Sequence, residues 1–354
     1  MEKSVRLQDI AELLNLSIST VSKALNNSSE ISARTKEKVK EVAILKRYIP
    51  NSMAQNLKGK KSRIIGVIIP DIFSNFFSEA LHAIEKKANQ RGYYTMICFS
   101  NGSVQKETEC IERLIKCRVD GIIIAVSKKS LYKKINQHLE RTWDFKLPVV
   151  MFDCVEDNIV CDKVGLDETF LAEEATMNLF QAGYRNIAFF SKMSCNRFNE
   201  AHRNGYLQAI KRKNSKEIML NHHESSPQKL QDLIRLEKID AFLVTERSSA
   251  NLIENSFLEA EISIPENFYI LSLSNLEKKG GSLSSFDSLD RKGAEQGDIA
   301  VDTLIDRIEG VLSDEFLKFE LKPPVIRGKT NKIGRVSGIN LKSCVWIKIE
   351  NRFL

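Results

Sequence analysis

From Leu7 the apolar positions recur every three or four residues, so that Leu7, Ile10, Ala11, Leu13 and Leu14 fall on one helical stripe. Asn15 follows, a residue that tolerates the left-handed exit of a helix. Ser17 can cap a second helix by accepting from the backbone N–H of Ser19 or Thr20. On that helix Val21, Ala24 and Leu25 face inward, which leaves Ile18, Ser19, Ser22, Lys23 and Asn26 facing out. Ser32 caps a third helix with an apolar face of Val39, Val42, Ala43 and Leu45.

At Arg63 the period changes. "RIIGVIIP" is a continuous β-branched run, the pattern of a strand buried on both faces. Next come helix "FFSEALHAIEKKANQRG", strand "YYTMICFS", helix "SVQKETECIERLIKCR", strand "DGIIIAVS", a helical stretch over 130–141 and strand "LPVVMFDC". The alternation restarts at "DETFLAEEATMNLFQAGYRNIAFFS" and continues through "RNGYLQAIKRK", "IDAFLVTE" and "FYILSLS". Strands alternating with helices predict a parallel, doubly wound α/β core. The two halves carry no G-x-G-x-x-G loop, which argues against a dinucleotide enzyme. They suit a two-lobed binding domain with a cleft at the carboxyl ends of the strands.

Charge sharpens this division. Residues 1–62 hold twelve Lys and Arg against six Asp and Glu, and residues 331–354 hold five against one, while the whole 354-residue chain is only +7. A basic head on a mildly acidic body points to a polyanionic partner for the head. The seven cysteines include no C-x-x-C pair and read as reduced thiols of a cytoplasmic protein. No apolar run approaches a membrane span, and "MEKSVRLQDI" lacks the apolar core of a secretion signal. The five histidines show neither H-x-x-x-H spacing nor a nucleophile context, so no catalytic residue, metal site or cofactor is expected.

Ala11, Asn15 and Val21 have helix-turn-helix spacing: a small residue where helices cross, a turn residue, and a β-branched residue closing the corner. The second helix then enters a DNA major groove. Its candidate contacts are Ser17, Ile18, Ser19, Thr20, Ser22, Lys23 and Asn26, short hydroxyls and amides for phosphates and base edges plus one cation for a phosphate or guanine.

The stretch "LQDIAELLNLSISTVSKALNNSSEISARTKEKVKEVAILKRYIPNSMAQNLKGKKS" resembles the head of the lactose-repressor (LacI/GalR) family of bacterial transcription regulators. That resemblance implies a helix-turn-helix domain over 1–50 and a hinge helix over 51–62. In the family this hinge orders on operator DNA, so Asn51, Gln55 and Lys58 become DNA contacts and Leu57 a minor-groove wedge. Departures are Arg6 at a position that is usually a Ser or Thr cap, Lys23 in place of a frequent arginine, and "KRYIP", which drives Arg47 toward positive φ.

The core resembles the family's periplasmic-binding-protein-like body over 63–330. The expected first lobe is 63–157 with 291–321, and the second 163–287 with 325–330, with crossings near 154–163, 287–291 and 322–325. At the effector pocket the resemblance thins. "PDIFSNFF" places Phe76 and Phe77 where aromatics wall the site or pack the core, and Asp153 matches an acid that accepts a ligand hydroxyl. The R-x-x-G-[FY] motif reads "HRNGY", with His202 in the arginine position and Arg203 one place late, which on a helix is a turn of about 100°. Glu246 and Ser274 stand where Asn or Asp is common. The effector set is therefore Phe76, Phe77, Asp153, His202, Arg203, Glu246 and Ser274. Either its ligand is not a typical free sugar or the pocket has degenerated.

The expectation is a DNA-binding regulator, acting as a repressor on a pseudo-palindromic operator as a homodimer, with tetramers left open. A small-molecule effector, a sugar or a derivative, controls it. Rivals are a ligand-independent regulator, a solute-binding protein and an enzyme on the same scaffold. Residues 331–354 extend past the family's usual end and read as an edge strand, a partner-covering segment or a disordered end.

Overall fold

The computed structural model divides the chain into two compact units, residues 1–62 and 63–354. It describes residues 5–48, 61–127, 137–155, 159–191, 197–220, 227–259, 268–274, 286–321 and 347–350.

In the first unit, helices α1 (Leu7–Leu14), α2 (Ile18–Leu25) and α3 (Ala33–Leu45) pack around Ile10, Ala11, Val21, Ala24, Val39 and Ala43. Asn15 is left-handed at φ 54°, as its place at the end of α1 requires. Ser17 and Ser32 cap α2 and α3 by accepting from Thr20 N–H at 3.0 Å and Thr35 N–H at 3.2 Å. Arg6 supplies no hydroxyl, but its backbone N–H donates to the Asp9 carboxylate at 2.7 Å, half of a capping box. Arg47 is at φ 51°, as "KRYIP" predicts. Two stripe positions are corrected. Leu13 is 57% exposed and Leu45 78%, because a three-helix core this small seals only the middle of each apolar face.

The second unit holds two parallel sheets. The larger has the order β12-β11-β5-β4-β3-β1-β2, from β1 (Ile64–Ile69), β2 (Tyr94–Phe99), β3 (Gly121–Ile124), β4 (Val149–Asp153), β5 (Asp162–Leu166), β11 (Leu317–Leu321) and β12 (Ile347–Glu350). The smaller has the order β10-β9-β8-β6-β7, from β6 (Ile187–Phe190), β7 (Met219–Leu220), β8 (Ala241–Val244), β9 (Tyr269–Ser272) and β10 (Phe286–Ser288). Among the described residues every pairing is parallel except β12 on β11. Helices α4 (Asn75–Gln90), α5 (Val104–Lys116) and α6 (Gln137–Asp144) belong with the larger sheet. Helices α7 (Glu168–Gln181), α8 (Arg197–Lys213), α9 (Pro227–Leu236) and α10 (Arg247–Glu259) lie between β5 and β9 in the chain. Helix α11 (Gly293–Glu309) returns from β10 to pack on α4. Ile65, Val67, Ile68 and Ile69 of β1 are fully buried, as an unalternating run requires of a strand covered on both faces.

One expected boundary moves. The expected second lobe begins at residue 163, yet β5 pairs with β4 on one side and β11 on the other, inside the larger sheet. The chain therefore leaves that sheet at Asp167. "CDKVGL" is too charged to read as a buried strand, but its charges are satisfied. Lys163 is buried with its ammonium donating to the Ile159 carbonyl at 2.6 Å. Asp162 accepts from Arg307 of α11 at 3.0 and 2.6 Å and from Leu317 N–H at 2.8 Å. The crossing at 322–325 and the second-lobe segment 325–330 lie outside the described residues. Of the extension, β12 is an antiparallel edge strand on β11.

Candidate nucleic-acid interface and interlobe ion cluster

The DNA-reading face is built on α2. Val21 and Ala24 are fully buried, which fixes the rotation of the helix and turns the opposite side outward. Ser17, Ser19, Lys23 and Asn26 are exposed, Ile18 is 49% exposed, and Thr20 and Ser22 are half-buried. Some of these groups bond locally. Ser17 and Thr20 share a hydroxyl contact of 2.8 Å, and the Asn26 amide donates to the Ser22 carbonyl at 2.8 Å. Lys23 pairs with Glu30. Both partners are largely exposed, so the pair contributes little and Lys23 can turn to another anion. Asn51, Gln55, Leu57 and Lys58 lie outside the described residues.

In the second unit the expected effector residues do not form one set. Phe76 is buried and its ring stacks 6.2 Å from Phe152, while Phe77 meets Phe152 edge-on at 6.3 Å. Both pack with the core. Gly293 lies against Phe76, where an added Cβ would come 2.5 Å from the Phe76 carbonyl oxygen. Arg203 is exposed, whereas His202 beside it on α8 is buried, so the one-residue offset in the motif turned the arginine away from the site. Glu246 is buried at the start of α10, accepting from the Ser249 hydroxyl at 2.5 Å. Ser274 bonds back to Ser272 at 3.2 Å in the turn after β9.

Asp153 and His202 do come together, through two residues the sequence reading missed. Arg291, between β10 and α11, donates to Glu168 at 2.6 and 3.3 Å and to Asp153 at 3.1 Å. Glu168, the first residue of α7, also bonds His202 Nε2 at 2.7 Å. All four are at least seven-eighths buried at the side chain. The cluster draws on the end of β4, the crossing from β5 to α7, helix α8 and the crossing from β10 to α11. Its only sequence signal was a base at the expected crossing 287–291 and an acid a few residues past the expected crossing 154–163, each indistinguishable from a solvated charge.

Gln296 of α11, fully buried, braces the cluster. Its carbonyl oxygen accepts from Asp153 N–H at 3.0 Å and its amide donates to the Arg291 carbonyl at 2.8 Å. Asp153 is thereby held at φ 68°, a left-handed conformation that non-glycine residues adopt only when the surroundings impose it. Burial disfavours the ionised form of Glu168, but the Arg291 charge and the His202 hydrogen bond more than offset this and hold its carboxyl well below the usual range. Burial likewise works against the Arg291 charge, and Glu168 and then Asp153 keep it firmly protonated. Because Glu168 is an ionised acceptor, His202 Nε2 carries the proton toward it. His202 Nδ1, also buried, has no hydrogen-bond partner among the described residues.

Beside the cluster lies a cavity of about 150 Å³, lined among others by Asp153, Asp167, Glu168, Phe198, Lys318 and Glu320. Of the expected effector residues only Asp153 reaches it. No helix among the described residues is long and apolar enough to cross a membrane.

Comparison with known proteins places both units. Residues 6–51 match the model for bacterial regulatory proteins of the lacI family, and residues 62–236 match that for periplasmic binding proteins and the sugar binding domain of the LacI family. The sucrose operon repressor of Pediococcus pentosaceus is 28% identical over 92% of this chain and 99% of its own length. Catabolite control protein A of Staphylococcus aureus (strain Mu50) is 27% identical over 77% of this chain and 83% of its own. Among solved structures, the Lac repressor dimer bound to operator and the anti-inducer ONPF superposes with a TM-score of 0.67 at 21% identity, over 87% of this chain and 94% of that one. These relatives are transcription regulators rather than enzymes, and the chain belongs to the LacI family of bacterial regulatory proteins.

Proposed function

We propose that the protein is a transcription repressor that binds a pseudo-palindromic operator as a homodimer, with its two-lobed core adjusting operator affinity in response to a small molecule. The observation that carries the DNA-reading half is α2 itself. Its inner side is sealed by Val21 and Ala24 while Ser17, Ser19, Lys23 and Asn26 stand exposed, the arrangement a recognition helix needs. One such helix reads a half-site, so a dimer reads a palindrome. The name of the sucrose operon repressor, and the match of residues 62–236 to the sugar binding domain of the LacI family, favour a sugar, or a derivative of one, as the effector.

A second reading, regulation without an effector, is supported by the state of the cleft acids. Arg291 already pairs both Asp153 and Glu168. Operator selection from a random duplex library, followed by fluorescence anisotropy on the winning duplex at fixed salt, tests the main reading. The expected result is a two-fold symmetric site bound by a dimer, about a thousandfold or more tighter than random duplex. A site without symmetry, or equal affinity for every sequence, overturns it.

A further inference from the structure

We propose that Arg291 is a built-in ligand of the interlobe cleft and determines its selectivity, holding the cleft closed to small neutral polyols. The proposal rests on the reading of this cleft as the effector site. A pocket for a hydroxyl-rich molecule needs acceptors whose lone pairs are available to donors on the ligand. Here both central acceptors already hold a donor from within the chain. Glu168 accepts from Arg291 at 2.6 and 3.3 Å and from His202 at 2.7 Å, and Asp153 accepts from Arg291 at 3.1 Å. The guanidinium is planar and presents fixed parallel donors, so its two-pronged hold on Glu168 is pre-organised in a way that a mobile hydroxyl is not.

The hold is also braced. Gln296 fixes the Arg291 carbonyl and the Asp153 N–H together. A neutral ligand that took these acceptors would have to leave a buried guanidinium without its counter-charges, which is far less favourable than exchanging one hydrogen bond for another. Among the described residues, the buried Nδ1 of His202 has no partner.

Three full-length proteins test this: wild type, Arg291→Gln and Arg291→Lys. Binding of D-glucose, D-ribose and sucrose is measured by calorimetry and by the ligand-dependent shift in Tm. The wild type is expected to bind all three more weakly than about 1 mM. Arg291→Gln frees Glu168 and Asp153 for hydroxyl donors, and the affinity for at least one sugar is expected to rise by about tenfold or more, the effect of one added hydrogen bond to a charged acceptor. Arg291→Lys keeps the charge, loses the two-pronged geometry and is expected to fall between. Should Arg291→Gln not fold, the gain in Arg291→Lys over wild type carries the test. Tight binding of any of the three sugars by the wild type overturns the proposal, and so does the absence of a gain in every folded variant. Operator binding of the wild type, measured in parallel, reports separately on whether the protein is a DNA-binding regulator at all.

Discussion

Replacing Glu168 by Gln keeps the shape of the side chain and removes its charge. Glu168 is 8% exposed and bonded to both Arg291 and His202, so the change strips a buried guanidinium of one of its two counter-charges. Removing one partner of a buried pair costs about 3–5 kcal/mol. Asp153 remains on Arg291 at 3.1 Å and Gln retains a carbonyl acceptor, which places the expected loss near the lower end, about 3 kcal/mol at pH 7. The sign of the pH dependence follows from the depressed native carboxyl. A group whose folded-state pKa is lowered contributes stability that is complete above its unfolded pKa of about 4.3 and is lost as pH falls through the native value. Other carboxylates titrate in both proteins and cancel in the difference. Denaturant unfolding of wild type and Glu168→Gln should therefore show a gap that is constant from pH 8 to 5 and shrinks below about pH 4, with unchanged m-values. A gap under about 1 kcal/mol at pH 7, or one that widens in acid, would refute the account of the cluster as a charge-bound unit.

Three further outcomes are expected. Gly205 lies where α8 crosses α7, and a Cβ there would come 2.1 Å from the Thr169 carbonyl oxygen and 2.8 Å from both Ala172 Cβ and Glu173 N. Two of these are backbone atoms that cannot rotate away, so Gly205→Ala should destabilise the core by about 2 kcal/mol despite a helix-propensity gain of about 1; an unchanged denaturation midpoint contradicts the close crossing. Lys23→Ala should weaken operator binding about tenfold in anisotropy titrations while changing random-duplex affinity less, and equal losses on both would make Lys23 a phosphate contact alone. Arg47→Gly relieves a left-handed arginine at φ 51° and should raise the stability of the isolated 1–62 unit by about 1 kcal/mol; a lower melting temperature argues against strain at that turn.

Much of this protein was written into local patterns. Ser17 and Ser32 cap helices because a hydroxyl followed by an amphipathic run leaves few other options, and Val21 and Ala24 face inward because a 3.6-residue period places them there. The β-branched runs of β1, β3 and β4 announced strands buried on both faces. Even Arg203 was partly legible, since a one-residue offset on a helix turns a side chain toward solvent wherever the helix packs.

What the sequence could not determine is where charges and long-range pairings close. Asp162 and Lys163 hid a central strand, because a charge reads as solvent-facing until a partner such as Arg307, 145 residues away, removes its cost of burial. Phe76 and Phe77 read equally well as pocket walls and as core residues, and only the tertiary structure shows Phe76 against Gly293 and Phe152. The ion cluster is the clearest case. Arg291 and Glu168 stand 123 residues apart on different crossings, and neither carries any periodicity. Helix and strand patterns are enforced by neighbours a few positions away, so a linear sequence displays them. An ion pair between a helix start and a distant loop is enforced only by tertiary packing, which is a property of the folded chain.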